Sequence, residues 1–289
     1  WVINGGMQVS QRGDYTSATA ASNNTYYLDR WKTSLNGVTG TAQDLGGAMK
    51  YAATSTASGR IGLIQLVEDY TYIAGRTVTV SAKITSNSSD ARLGLYDGVS
   101  FSTSDAHTGG GAEETLTVTG TFSGSPTNCI LYAKIHSALG ADVSITSGDY
   151  ITIEEVQLET GSVATPFEHR SYGEELALCQ RYYIQSGGGA YFGFFKAQGF
   201  AYSATGALLY LALPVTMRVA PTLTYAGSTI RIQDGVSGYP VTNITSSSDM
   251  STSCMQLGIT VASGLTIHRP YNIDAGSDTA GRIYLDAEL

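Results

Sequence analysis

Between Thr77 and His136 apolar and polar residues alternate with a period of two. In Thr77–Thr85 (TVTVSAKIT), Val78, Val80, Ala82 and Ile84 fall on one side, and Thr79, Ser81 and Lys83 on the other. In the segment beginning at Ala91 (ARLGLYDG), Leu93 and Leu95 oppose Arg92, Gly94 and Tyr96. In CILYAKIH, Leu131, Ala133 and Ile135 oppose Tyr132, Lys134 and His136. Strict alternation marks strands with one face on a core and the other in water. Further strands are predicted at Ile61–Val67, Glu114–Phe122 and Tyr150–Leu158, with turns at Asp97-Gly98 and Gly109-Gly110-Gly111. Many strands with no helix between them predict a two-sheet sandwich of jelly-roll type.

The period changes after Pro166. Ser171 followed three residues later by Glu174 spells a capping box. Leu176, Cys179 and Tyr183 then recur at i, i+3 and i+7, which predicts an amphipathic helix of two to three turns. Gly187-Gly188-Gly189 is expected to stop it. Glu174 and Glu175 suit the first turn, where the helix dipole favours acids. Beyond the helix the β pattern returns. Ala207–Val215 (ALLYLALPV) is apolar nearly throughout, as in a strand buried on both faces or lying in a subunit interface. Leu223–Ile232, Cys254–Val261 and Arg282–Leu289 are further strand candidates. The chain thus reads as mainly β: a jelly-roll domain over 1–168, a short helical connector over 169–186, and a C-terminal β domain over 187–289.

Composition supports this division. A chain of 289 residues favours two domains. Its 19 Tyr against 7 Phe and 2 Trp, with only 14% charged residues, suit half-buried strands. The net charge is −8. Through Glu168 there are 9 basic and 16 acidic residues, and from His169 onward 7 and 8, so neither half has the basic surface of a nucleic-acid binder. Cys129, Cys179 and Cys254 are distant and odd in number, which speaks against a disulfide framework or zinc site. No 18-residue apolar span predicts membrane insertion, and no N-terminal segment reads as a secretion signal.

Catalytic motifs are scarce. No nucleophile elbow, phosphate loop or metalloprotease helix is spelled out, and His107, His136, His169 and His268 share no local pattern. The pairs Glu113-Glu114 and Glu154-Glu155 sit in predicted strands, where neighbours face opposite sides and cannot flank one glycosidic bond. A non-enzymatic protein is therefore expected. Arg12-Gly13-Asp14 matches an adhesion tripeptide of high chance frequency. Asn4, Asp149, Glu154 and Glu155 are candidate oxygen ligands for a structural Ca2+ at the sandwich ends. Placing the three alternating strands in one sheet gathers Lys83, Arg92, Tyr96, Tyr132, Lys134 and His136 on one polar face. Aromatic rings offer platforms to sugar C–H faces, and Lys and Arg can hold hydroxyls or carboxylates, so this is the candidate carbohydrate-binding face.

Four segments carry a family resemblance: INGGMQVSQRG (Ile3–Gly13), YYLDRW (Tyr26–Trp31), VQLETGSVATPFEHRSYGEELALCQRYY (Val156–Tyr183) and LPVTMRVAPTLTY (Leu213–Tyr225). Together they resemble bacteriophage tail-fibre and virion-appendage proteins over nearly the whole chain. The resemblance implies a sandwich like a carbohydrate-binding module, a helical connector, a C-terminal β domain, a homotrimer and a place on the virion. It implies recognition of a cell-surface or extracellular polysaccharide, with a glycan depolymerase and a purely structural spacer as alternatives. It supplies no binding residues, and Trp31 in the DRW motif is expected to anchor the core.

Overall fold

The computed structural model describes residues 1–187, 194–246, 251–277 and 279–288. The chain divides into two compact units, Trp1–Leu176 and Ala177–Leu289. The first contains thirteen strands among the described residues: β1 (Thr19–Ala20), β2 (Tyr26–Leu28), β3 (Trp31–Asn36), β4 (Gly40–Asp44), β5 (Met49–Ala53), β6 (Ala57–Leu66) and β7 (Thr77–Ser86), then β8 (Ala91–Tyr96), β9 (Phe101–Thr103), β10 (Glu113–Thr121), β11 (Ile130–Ile135), β12 (Val143–Ile145) and β13 (Tyr150–Thr160). One sheet has the order β1-β4-β5-β13-β7-β10; the other has β2-β3-β6-β11-β8-β9, with β12 on the first half of β6. All pairings are antiparallel. This is the expected mainly β sandwich.

Alternation explains the packing. Val78, Val80, Ala82 and Ile84 of β7, Leu93 and Leu95 of β8, and Leu131, Ala133 and Ile135 of β11 all enter one core with Trp31, Tyr51 and Phe122. Removing such apolar surface from water is what stabilises two facing sheets. Trp31 is 1% exposed, and its indole Nε1 donates to the Asn4 carbonyl at 2.8 Å, so it is a core anchor. The fully buried Asn4 also ties distant segments together. Its Nδ2 donates to the carbonyls of Val9 and Asp29, both at 2.9 Å, while its Oδ1 accepts from the backbone N–H groups of Gln8 and Val9.

Helix α1 (Tyr172–Gln180) starts at the predicted capping box: the Glu174 carboxylate accepts from the backbone N–H and hydroxyl of Ser171. It ends earlier than the sequence suggested. The backbone N–H of Tyr182 donates to the carbonyl of Cys179, and Tyr183 already opens a strand, so Gly187 is not the stop; Gly188 and Gly189 lie outside the described residues. Of the predicted stripe Cys179 and Tyr183 are buried, though Tyr183 lies in the following strand; Leu176 is only partly buried, and Glu175 is the other buried helical position. Glu175 is buried because its carboxylate accepts the Asn4 backbone N–H at 2.5 Å and meets the Arg170 guanidinium at 3.2 Å.

The second unit holds β14 (Tyr183–Gly187), β15 (Phe194–Ala201), β16 (Gly206–Ala212), β17 (Thr222–Ala226), β18 (Arg231–Gln233), β19 (Gly238–Ser246), β20 (Cys254–Val261), β21 (Pro270–Asp274) and β22 (Arg282–Asp286). A closed barrel runs β15-β16-β20-β19-β18-β21, beside a three-stranded sheet β14-β22-β17. The apolar run at Ala207 forms β16, but it is not buried on both faces. Ala207, Leu209 and Leu211 enter the barrel core while Tyr210 and Ala212 are exposed, because a barrel wall has an inside and an outside. The segment read as one strand at Leu223–Ile232 is two, β17 and β18. Among the described residues no helix is long and apolar enough to cross a membrane.

Candidate functional site

Five of the six candidate face residues share one sheet. β8 and β11 are neighbours, with Lys134 opposite Arg92, Tyr132 opposite Gly94 and Ile130 opposite Tyr96. His136 directly follows β11, and its backbone N–H donates to the carbonyl of Asp90. Lys83 does not join them. It lies on β7 in the other sheet, where its ammonium meets Glu155 at 3.0 Å and Glu113 at 3.9 Å. The hydrogen bond to Glu155 raises its pKa. The Asn87–Asp90 connection carries the chain from one sheet to the other. Both strands turn their apolar sides to the shared core, and their polar sides therefore emerge on opposite outer surfaces.

The shared face forms an open cleft of about 490 Å³. Tyr96, Phe101, Tyr132 and Lys134 line it, joined by Arg60 and Ile64 of β6 and Ser34 of β3. Asn23 and Asn24 form one rim, and Leu139 with Gly140 another. The register brings these strands side by side: Ile64 opposes both Tyr132 and Lys32, and Gly62 opposes both Lys134 and Ser34. At Gly62 an added Cβ would lie 2.3 Å from the Ala133 carbonyl oxygen and 2.4 Å from the Lys134 Cβ. Only a glycine lets β11 approach so closely.

Aromatic packing shapes the wall. Phe101 lies against Gly94 and Gly140, where an added Cβ would meet the ring at 3.0 and 3.2 Å. It packs edge-on against Tyr132 at 5.3 Å and His136 at 5.9 Å, and tilts against Tyr96 at 6.4 Å between centroids. The two tyrosines are half-buried, leaving ring surface toward the cleft. Burial raises the Tyr132 pKa, so its hydroxyl stays protonated and can donate as well as accept.

The cations are less evenly supplied with partners. Arg60 forms an ion pair with Asp142 at 3.1 Å, and Asp142 also accepts from the Asn36 amide at 2.6 Å. Lys134 is 4% exposed, with its ammonium 4.1 Å from the Tyr132 ring centroid. Burial, and then the Arg60 guanidinium, push its pKa down to about 7, with Asp142 opposing. Arg92 donates to the Ser104 carbonyl at 3.2 Å, and its Nε is buried without a hydrogen-bond partner. His136 is fully buried, its Nδ1 2.6 Å from the Ser137 carbonyl. Burial and the nearby Lys134 push its pKa down to about 3, so it is neutral at ordinary pH and sits beneath the wall rather than in the cleft.

Other candidates resolve differently. Arg12 of the Arg-Gly-Asp tripeptide is turned inward, 3.7 Å from Asp29 with its guanidinium 4.5 Å from the Tyr26 ring centroid. The four candidate Ca2+ ligands do not assemble. The Asn4 side chain is fully engaged, and Asp149 accepts the Thr146 N–H at a turn. Glu154 lies five residues further along β13, roughly 16 Å away at strand rise. Among the described residues no group of three or more His, Cys, Asp or Glu side chains could hold a metal.

No protein-family model and no curated protein matches this chain. Among solved structures it is similar to a structure described as CBM4 structure and function: 13% identity, TM-score 0.31, covering 55% of this chain and 98% of that one. It is also similar to the family 11 carbohydrate-binding module of Lic26A-Cel5E from Clostridium thermocellum, at 11% identity and TM-score 0.26, covering 56% of this chain and 96% of that one. A third is the CBM22 tandem of Xyn10C from Paenibacillus barcinonensis, at 11% identity and TM-score 0.31, covering 95% and 96%. Likeness at this level assigns no residue and no ligand. The cleft stands on its own geometry.

Sequence reasoning missed Arg60, Ile64, Phe101, Ser34, Asn23 and Asn24. Arg60 and Ile64 were within reach, since Arg60, Gly62 and Ile64 alternate with Ile61 and Leu63. Phe101 belongs to a three-residue strand, too short to show a period.

Proposed function

We propose that the N-terminal unit is a non-catalytic glycan-binding domain whose ligand lies in the cleft on β3, β6, β11, β8 and β9. The observation that carries this reading is the open cleft of about 490 Å³ walled by Tyr96, Phe101 and Tyr132 and rimmed by Asn23 and Asn24. Ring faces take the apolar C–H surfaces of sugars, and neighbouring amides, hydroxyls and cations take their oxygens. Among the described residues lining the cleft none is a carboxylate, and nearby Asp142 is held by Arg60 and Asn36. Hydrolysis of a glycosidic bond needs two carboxyl groups placed across it, which supports binding without catalysis. The resemblance of the four quoted segments to phage appendages supports a role on the virion as a homotrimeric receptor-binding protein.

A glycan array followed by calorimetry on the full chain tests this. The wild type is expected to bind at least one polysaccharide, and Tyr132→Ala or Tyr96→Ala to weaken it at least tenfold while leaving tryptophan emission unchanged. Binding unaltered by both substitutions would place the ligand elsewhere, and an array with no signal would favour a structural spacer. Release of reducing ends on prolonged incubation would replace the non-catalytic reading. Light scattering checks the trimer.

A further inference from the structure

The cleft has a chemically distinct end. Arg60 on β6, Arg92 on β8 and Lys134 on β11 all lie on the outer face of one sheet, in a unit that carries more acids than bases. Lys134 and Arg92 are direct cross-strand partners. Like charges placed opposite each other on neighbouring strands are destabilising, so this pairing works against the fold. The chain supplies little to offset it. Asp142 is committed to Arg60 and Asn36, at 3.1 and 2.6 Å. Lys134 rests on the face of Tyr132, with no hydrogen bond to its ammonium among the described residues, and the Arg92 Nε is without a partner.

We propose, building on the glycan-binding reading, that this end of the cleft is an anion subsite and that the ligand is an acidic polysaccharide. A uronate carboxylate or sulfate on the sugar would seat against Lys134 and Arg60, which line the cleft, with Arg92 adding positive charge from the neighbouring strand, while an adjacent ring lies on Tyr132 and Tyr96. Such an anion supplies the missing counter-charge in a partly desolvated place, where charge-assisted hydrogen bonds are strong.

Charged and titratable groups on several elements surround Lys134, and, after burial itself, Arg60 lowers its pKa and Asp142 raises it. Arg60 faces it from β6 and Arg92 from β8; Tyr132 lies on its own strand, Tyr96 on β8, and His136 and Asp142 follow β11. His136 is neutral and contributes no positive charge near pH 7. With the Lys134 pKa near 7, a bound anion raises it, and binding takes up a proton around neutral pH.

The test is calorimetry of the full chain with oligogalacturonate, a sulfated galactan and neutral galactan, at pH 6 and pH 9. The acidic ligands are expected to bind at least tenfold tighter than the neutral one at pH 6 and to lose most of that advantage at pH 9. Titration in two buffers of different ionisation enthalpy is expected to show proton uptake. Lys134→Met should bring the acidic ligands down to the neutral level at both pH values, and Lys134→Arg should keep the preference while losing the pH dependence. Preference for one acidic ligand over the other identifies carboxylate or sulfate as the group held. Equal binding of acidic and neutral galactans, still abolished by Tyr132→Ala, would overturn the anion subsite and leave the glycan reading intact. Binding of none of the three, in a protein that also fails on a broad array, would overturn both. Acidic binding undiminished in folded Lys134→Met would overturn the assignment of the subsite to Lys134.

Discussion

Replacing Gly62 by alanine tests the strand contact on which the cleft depends. A Cβ there would lie 2.3 Å from the Ala133 carbonyl oxygen, 2.4 Å from the Lys134 Cβ and 2.5 Å from its Cα. None of these is the free end of a flexible side chain, so β6 and β11 must move apart or lose pairing. Overpacking of a tight contact costs about 1–3 kcal/mol, and here the upper end applies because backbone is displaced. Two glycines calibrate the effect. Gly46 has φ +74° with nothing within 4 Å of an added Cβ, so Gly46→Ala meets only the left-handed penalty of about 1 kcal/mol. Gly124 has open space and no positive φ, so Gly124→Ala should change stability by less than about 0.5 kcal/mol. Both tryptophans, Trp1 and Trp31, lie in the N-terminal unit, so their emission during urea titration follows that unit alone. With a slope of about 2–3 kcal/mol/M, Gly62→Ala should lower the urea midpoint by about 1–1.5 M, Gly46→Ala by roughly 0.4 M, and Gly124→Ala hardly at all. A Gly62→Ala midpoint indistinguishable from that of Gly124→Ala would show that β11 does not approach β6 this closely.

Three further outcomes follow from the same structure. Asn4→Ala strands the N–H of Val9 and the carbonyl of Asp29 and leaves the Val9 carbonyl with the Asp29 N–H alone, and should cost about 2–4 kcal/mol by the same emission assay; a loss under about 1 kcal/mol would contradict the buried network. Burial raises the Asp97 pKa, but the N–H groups of Val99, Ser100 and Ser123 and the Ser100 hydroxyl outweigh it, leaving a net value below 3.8. Its contribution is therefore fully present above that pH and lost as pH falls through the folded-state value, so Asp97→Asn should flatten the acid limb of stability below about pH 4. Ser171→Ala removes the hydroxyl of the capping box and should cost about 1 kcal/mol in urea unfolding, whereas Ser171→Asp should retain most of it.

The polar face was legible as far as alternation reaches. Arg92, Tyr96, Tyr132, Lys134 and His136 could be assigned to one side of their strands because side-chain direction has a fixed period of two. Which sheet a strand joins is a separate matter, decided by pairings between residues far apart in sequence. Thus Lys83 has the same alternation as Lys134, yet β7 pairs with β10 and β13 while β11 pairs with β6 and β8. Short elements escaped for a related reason: in β9 three residues cannot reveal a period, yet Phe101 makes the wall on which two tyrosines rest. At α1 the capping box located the start, because Ser171 and Glu174 bond locally. The end was invisible because pairing of Tyr183–Gly187 with β22, a contact over about a hundred residues, overrides the helical spacing at Tyr183.

The segments that carry the family resemblance explain why wording can identify a fold without identifying a ligand. Asn4 of the first segment bonds to Val9 and Asp29, accepts the Trp31 indole through its carbonyl, and donates its backbone N–H to Glu175. Gln11 and Arg12 of the same segment meet Asp29. Three of the four segments therefore converge on one buried hydrogen-bonded knot, in which almost any substitution leaves a polar group unsatisfied. The cleft is less tightly bound: among the described residues no side-chain hydrogen bond ties Tyr96 to a buried partner, whereas Tyr132 still carries the buried Lys134 ammonium on its ring face. The knot ties three of the four segments together inside the β-sandwich, while the proposed cleft is built separately, from the rings and charges of β6, β8, β9 and β11.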